Sequence, residues 1–301
     1  MILAIVVRLA FLDRPVALPV GFALVRKKSD DSSRLALARQ LVEALAVALP
    51  GRTVHVVADS AYAGKALRGL PGSVTWTTRP RSNAPLYELA PARTGRRGWS
   101  RLKGAKLASV AALAASTQLA PTTVTRYGTT ATVSVAVLRC CWYGVLVPQE
   151  VQVVLVRDKS KHGYDVALVT TTLDASAAEI VERYGARWSI EVATEDGKQL
   201  GGVGQDRNRL EQAVQRTLPF GLVVNTLAIC WYATAGHDPD DVQAARALAR
   251  WYRQKVQPSV LDMVAELRRV IIATQSRRGD PGSVTPQEIC VIRMAWENVT
   301  A

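Results

Sequence analysis

The sequence predicts an α/β protein: a layer of mixed strands and helices, a β-rich segment set into it, and helices towards the C-terminal end. Three observations carry that prediction. Residues 1–78 alternate between β-rich apolar runs and helical periodicity, residues 129–172 hold strand patterns alone, and helical periodicity returns from Asp174 onward. The chain has 301 residues, 49% hydrophobic and 21% charged, enough for one large domain with an insertion or for two domains.

Residues 2–12 and 16–25 are apolar runs joined by Asp13-Arg14-Pro15, which predicts a hairpin. Ser29, Asp30 and Asp31 offer N-caps for a helix on which Leu37, Leu41, Leu45 and Leu49 recur every fourth residue, closed by Pro50-Gly51. Residues 54–58 predict a short buried strand that delivers Asp59 at its C-terminal end, followed by a brief helix over 64–70 and a strand over 73–78. Over 76–106 the composition turns basic: Arg79, Arg81, Arg93, Arg96, Arg97, Arg101, Lys103 and Lys106 face the single acid Glu88. The Pro, Gly and Ser scattered there predict an exposed loop.

The alternation through Val133, Val135 and Val137 predicts a strand over 129–139, with further strands over 150–156 and 164–172. Asp174 is the predicted cap of a helix that runs to Gly201-Gly202. Residues 217–236 carry no charge, but Pro219, Gly221 and Asn225 interrupt them, which favours a buried helix over 218–235 above a membrane span. Two basic amphipathic helices are expected over 240–256 and 259–273, on either side of Pro258.

Charge narrows the function class. Lys plus Arg number 38 against 25 Asp plus Glu, a formal net charge of +13, which favours a polyanionic partner and nucleic acid first; a generally basic soluble protein is the alternative. The cysteines Cys140, Cys141, Cys230 and Cys290 have the spacing of neither a zinc site nor a disulfide framework, so they read as buried small hydrophobes in a reducing cytosol. The apolar N-terminus is broken by Arg8 and lacks a basic lead-in and a cleavage site, so no signal peptide is expected.

Two constellations carry chemistry. On one continuous helix Tyr184, Arg187, Glu191 and Lys198 fall within an arc of about 60°. A phenol, two cations and a carboxylate on one stripe suit a phosphodiester beside a metal ion better than a core; the alternative is an i,i+4 pair of Arg187 and Glu191 on a solvated face. Asp59, in VHVVADSAYAG, sits where a strand feeds a helix, a place where ligands gather in open α/β sheets. Its alternative role is to cap the helix that follows.

The spacing Y-x2-R-x3-E-x6-K at Tyr184, Arg187, Glu191 and Lys198 resembles the signature of bacterial insertion-sequence transposases of the DDE class, and Asp59-Ser60-Ala61-Tyr62 resembles their second aspartate motif. The resemblance covers about residues 1–235. It implies a ribonuclease H-like core, a mixed sheet with flanking helices, interrupted by a β-rich insertion and followed by C-terminal helices. The corresponding segments are 1–83 for the first part of the core, 84–172 for the basic loop and insertion, 173–235 for the core helices, and 236–301 for the C-terminal helices. The implied activity is metal-dependent DNA cleavage and strand transfer with Mg²⁺ or Mn²⁺. Asp59 and Glu191 would be catalytic metal ligands, and Tyr184, Arg187 and Lys198 would hold phosphates of double-stranded DNA. The implied assembly is a homo-oligomer on DNA, cytoplasmic and nucleoid-associated, with no membrane partner.

One member of the family's triad is not found. The acids before Asp59 are Asp13, Asp30, Asp31 and Glu43, and none lies within an apolar strand. The expectation is therefore a chain that begins after the first core strand, truncated and inactive, with a non-catalytic DNA-binding remnant as the alternative. Trp142, at the edge of the insertion, is a candidate base-stacking residue by position, and a core tryptophan otherwise.

Overall fold

The computed structural model describes residues 1–25, 31–92, 99, 101–205, 207, 210–248, 253–278 and 290. Strands β1 (Ile2–Val7) and β2 (Val16–Phe22) pair as the expected hairpin, but in a two-stranded sheet of their own. They therefore do not extend the α/β layer. The strands are also shorter than the apolar runs. Leu9, Phe11 and Leu12 leave the strand pattern and pack with Val16 and Leu18 around Ile229, Tyr232 and Met263.

Helix α1 (Asp31–Ala48) buries Ala38 and Val42, with Leu37, Leu41 and Leu45 half-buried beside them. It stops before Pro50, and Gly51 takes the left-handed φ of 75° that a chain reversal after a helix asks for. The expected caps Ser29 and Asp30 lie outside the described residues, as do Arg93, Arg96 and Arg97 of the basic segment.

The main sheet is built from β3 (Val54–Val57), β4 (Val74–Thr78), β5 (Leu86–Tyr87), β6 (Ala120–Arg126), β7 (Thr129–Trp142), β8 (Glu150–Arg157) and β9 (Val166–Thr170). Its order is β3-β4-β9-β8-β7-β5, with β6 also paired to β7. Strands β3 and β4 run parallel, and the other pairs are antiparallel. The strands after residue 119 thus continue one sheet with β3 and β4 through the β4–β9 pairs Thr77↔Thr170 and Thr78↔Val169. Helix α2 (Val110–Ser116), capped by Ser109, was not expected.

Residues 76–106 are more than an exposed loop. Trp76 and Leu86 are buried, β5 adds to the edge of β7, and Glu88 N–H donates to the Ala105 carbonyl at 2.9 Å. A run of basic residues concealed an apolar register that the sheet edge could use. Trp142 is 4% exposed within the same core, which removes it as a base-stacking residue.

The β8 sequence EVQVVLVR explains how the sheet is covered on both faces. Val151, Val153 and Leu155 point to a cluster that includes Val42 of α1, whereas Val154 and Val156 point to one that includes Ile180 and Val181. A strand buried on both faces reads as a continuous apolar run. Strand β3 is at the edge of the sheet order, with Val56 buried and His55 exposed, so it is less buried than its sequence suggests.

Helix α3 (Ala177–Ala186) begins with a capping box: Ser176, not Asp174, is the cap, and Glu179 reaches back to the Ser176 N–H at 2.9 Å. Helices α4 (Ser189–Gly201), α5 (Glu211–Trp231), α6 (Asp241–Leu248) and α7 (Val260–Arg278) follow. The chain divides into two compact units, one of Met1–Leu3 with Gly21–Trp188 and one of Ala4–Val20 with Ser189–Ala301. In the second unit α4 packs on α5 through Gly197, Gly201 and Gly221.

Helix α5 and its π-helical extension, Tyr232–Gly236, are long and apolar enough to cross a membrane by length and composition alone. The buried helix expected there is buried on one face only. Leu222, Asn225, Thr226 and Ile229 are covered, and the Thr226 hydroxyl donates to the Pro19 carbonyl at 3.0 Å, but Phe220 is 71% and Leu227 62% exposed. Cys140 and Cys141 are buried as expected; Cys230 and Cys290 are exposed, contrary to the reading of all four as core residues.

Candidate active site

Asp59 leaves β3 at the carboxyl end of its parallel pair with β4, and its side chain is exposed. Its Oδ1 accepts the Ala61 N–H at 2.9 Å and so caps the short 3₁₀ turn Ser60–Tyr62. The backbone is anchored as well: the buried Thr78 hydroxyl donates to the Asp59 carbonyl at 2.7 Å. Burial, and next the Asp59 carboxylate, push the Tyr62 phenol up, with Arg34 opposing.

The loop after Asp59 is held by a residue that sequence reading overlooked. Arg39, midway along α1, bonds Glu43 at 2.7 Å and donates to the carbonyls of Ala66 at 2.8 Å and Gly69 at 2.9 Å. A guanidinium that bonds several main-chain carbonyls fixes a loop containing no regular ladder. Arg39 is not among the residues that the sequence pattern singles out. Only its lone placement on the α1 face that carries Glu43 four residues on could have drawn attention to it.

The four-residue stripe does not lie on one helix. Tyr184 is on α3, Arg187 is the residue that ends α3, and Glu191 and Lys198 are on α4. Between them the chain tightens: Arg187 N–H bonds the Tyr184 carbonyl at 3.2 Å and Trp188 N–H bonds the Gly185 carbonyl at 3.3 Å. These i→i−3 bonds interrupt the 3.6-residue period on which the common arc relied. Gly185 allows α3 to lie close to the sheet, since a Cβ there would be 3.3 Å from Arg126 Cγ.

In the first unit Tyr184 is half-buried against the cluster of Val124, Val133 and Ile180, and the Arg187 guanidinium carbon is 5.7 Å from the centre of its ring. That is cation–π range. In the second unit Glu191 is half-buried in the first turn of α4. Lys198 is exposed and pairs with Glu195 at 3.5 Å. Such an exposed pair contributes about 0–1 kcal/mol, so Lys198 exchanges it readily for another anion. Asp196 is half-buried, and burial, then the Glu195 charge, push its carboxyl up.

The donor chemistry suits a hard divalent cation. Mg²⁺ is commonly held by one or two carboxylates, with water and phosphate oxygens completing its shell. Asp59 keeps Oδ2 clear of the capping bond. Among the described residues, no group of three or more His, Cys, Asp or Glu side chains is placed to hold a metal.

A mixed sheet with flanking helices and a carboxylate at a strand end is an α/β fold consistent with a ribonuclease H-like transposase. The chain matches the transposase DDE domain over residues 12–218, more than half its length, and belongs to that family. The family associates it with DNA binding and transposition-related DNA cleavage, and its members generally use divalent metal ions. No curated protein matches the chain.

Proposed function

We propose that this protein is an insertion-sequence transposase that cleaves double-stranded DNA and joins the freed end to a target, using Mg²⁺ or Mn²⁺. The observation that carries the reading is Asp59, an exposed carboxylate anchored at a strand end, in a chain matched to the DDE domain. Asp59 and Glu191 are assigned as metal ligands. A bound divalent ion would neutralise charge on the attacking and leaving oxygens of an in-line displacement. Arg187 offers a planar fork to one phosphate, Lys198 a mobile point charge to another, and Tyr184 a hydroxyl. We further assign a homo-oligomer on paired DNA ends, in the cytoplasm with the nucleoid.

The test is cleavage of a labelled duplex carrying the element's ends, with Mg²⁺ or Mn²⁺, by wild type, Asp59→Asn and Glu191→Gln. Metal-dependent nicking lost in both variants is the expected result. Nicking that survives both substitutions would end the assignment.

A second reading is a DNA-binding protein that does not cut. It is favoured by the commitment of Asp59 Oδ1 to the Ala61 N–H, the bond of a structural cap. In that case the wild type binds duplex DNA with steep salt dependence and shows no metal-dependent nicking.

A further inference from the structure

Strand register brings three turns of the first unit to one end of its sheet. Thr78 pairs with Val169 and Val156 with Val166, so the β8–β9 loop lies beyond the carboxyl ends of β3 and β4. Arg157 pairs with Ser134, and residues 129–133 of β7 pair only with β6, so the β6–β7 hairpin projects past β8 at that same end by about 17 Å. Asp59 leaves β3 there too.

The hairpin tip holds an unusual residue. Arg126 pairs with Thr129, leaving a two-residue turn of Tyr127 at φ 54° and Gly128 at φ 76°. Such turns are best served by Asn or Gly, and a bulky aromatic in the left-handed region is strained. The ring is not stabilised by burial in return, since Tyr127 is 51% exposed. Local strain retained at an exposed tip points to a role outside folding.

The adjoining loop is held by its own hydrogen bonds and presents two lysines, with Asp158 and Asp165 engaged within the loop and its bridge. The Asp165 carboxylate accepts the N–H groups of Asp158, Lys159 and Ser160 at 2.7, 2.9 and 3.2 Å, as well as the Ser160 hydroxyl. The Ser160 hydroxyl first, and those N–H groups next, hold its carboxyl well below the usual range. Arg126 bridges to Asp158 at 2.8 Å and pins the hairpin to the loop, which leaves Tyr127 and Lys159 each one residue from the bridge. Lys159, Lys161 and His162 are exposed, and Arg157 and His162 line a cleft of about 370 Å³ beside them.

We propose that the β6–β7 turn and the β8–β9 loop form an accessory contact for duplex DNA, in which Lys159 and Lys161 neutralise backbone phosphates and Tyr127 packs against the sugars of the groove edge. The inference rests on the DNA-binding reading above and adds residues that the transposase signature does not contain. The hydrogen-bonded loop backbone limits the ordering cost at binding to the two lysine side chains themselves. The projecting tyrosine adds apolar contact that is insensitive to salt.

The experiment measures affinity of the full chain for a fluorescein-labelled duplex from low to moderate KCl. The proteins compared are wild type, Lys159→Gln/Lys161→Gln, Tyr127→Asn and Arg187→Gln/Lys198→Gln. The Lys159/Lys161 variant should lose about 1.8 from the slope of log K on log[salt], so that a fourfold rise in salt weakens it about 12-fold less than wild type. Tyr127→Asn suits the left-handed turn, so it should keep or raise the melting temperature while weakening binding at an unchanged slope. If the Lys159/Lys161 and Tyr127 variants bind as wild type does while the Arg187/Lys198 variant is weakened, the accessory contact is overturned and the transposase reading stands. A flat salt response in the wild type would overturn both.

Discussion

The Thr78 hydroxyl donates to the Asp59 carbonyl at 2.7 Å and ties the loop after β3 to the last residue of β4. Thr78 is 1% exposed, so its hydroxyl has no water to return to. Thr78→Val keeps the shape and removes the bond. The Asp59 carbonyl still accepts from the Tyr62 N–H at 3.1 Å, so the loss of stability should be modest, about 0.5–1.5 kcal/mol in urea unfolding. Metal-dependent nicking should fall further than that, because Asp59 loses its anchor, while affinity for duplex DNA stays within about twofold. Unchanged nicking in a destabilised variant would make the bond structural only.

The α4–α5 interface predicts a contrast between two glycines. A Cβ at Gly221 would lie 3.0 Å from the Gly201 carbonyl oxygen and 2.7 Å from Val203 Cγ2, whereas one at Gly197 would meet the mobile Leu222 Cδ2 at 2.5 Å. A main-chain carbonyl cannot rotate away as a leucine methyl can. Gly221→Ala should destabilise by about 1–3 kcal/mol, and Gly197→Ala by clearly less, since alanine's helix propensity offsets about 1 kcal/mol of strain. Equal unfolding midpoints for the two variants would contradict this packing.

What the sequence disclosed depended on whether local pattern and final environment coincide. Strand β8 was legible because EVQVVLVR is buried on both faces, and Asp59 because a short apolar run precedes it. The break in the helix that carries the stripe has a local origin. Nothing in RYGARWSI but Gly185 warns that α3 stops at Ala186 and that i→i−3 bonds follow at Arg187 and Trp188. Strand β5 was hidden among basic residues, because a two-residue edge strand needs only Leu86 to face the core. Arg39 was invisible because its partners are carbonyls of a loop 27 to 30 residues away. A long-range bond to main chain leaves no trace in residue type.

The adjacent thiols predict alkaline behaviour with a definite sign. Burial, with smaller effects from Cys141 and Glu150, pushes the Cys140 thiol up to about 12. A raised folded-state value means that its contribution is complete below the unfolded value of about 8.5. It is lost as pH rises from there towards about 12, by up to about 1.4 kcal/mol per unit. Urea midpoints should therefore fall between pH 9 and 11, and Cys140→Ala should flatten that fall. In the native protein at pH 8, iodoacetamide should label the exposed Cys230 and spare Cys140 and Cys141.

Glu195 predicts a gain rather than a loss. Its carboxylate pairs with Lys198 at 3.5 Å and is one cause of the raised Asp196 carboxyl, so it competes with any phosphate for Lys198. Replacing it in Glu195→Gln keeps a group that can hydrogen-bond Gln199, as the present side chain does at 3.2 Å, while removing the charge. Both partners are exposed, so unfolding free energy should move by less than about 0.5 kcal/mol. Affinity for duplex DNA should rise on the order of threefold at low salt and converge with wild type as salt screens the change. The Asp196 carboxyl should move back towards its ordinary value, visible by carbon NMR titration. If Lys198→Gln abolishes the gain made by Glu195→Gln, the lysine is the group released. If the gain persists without Lys198, the effect is one of net charge, and the role assigned to Lys198 fails.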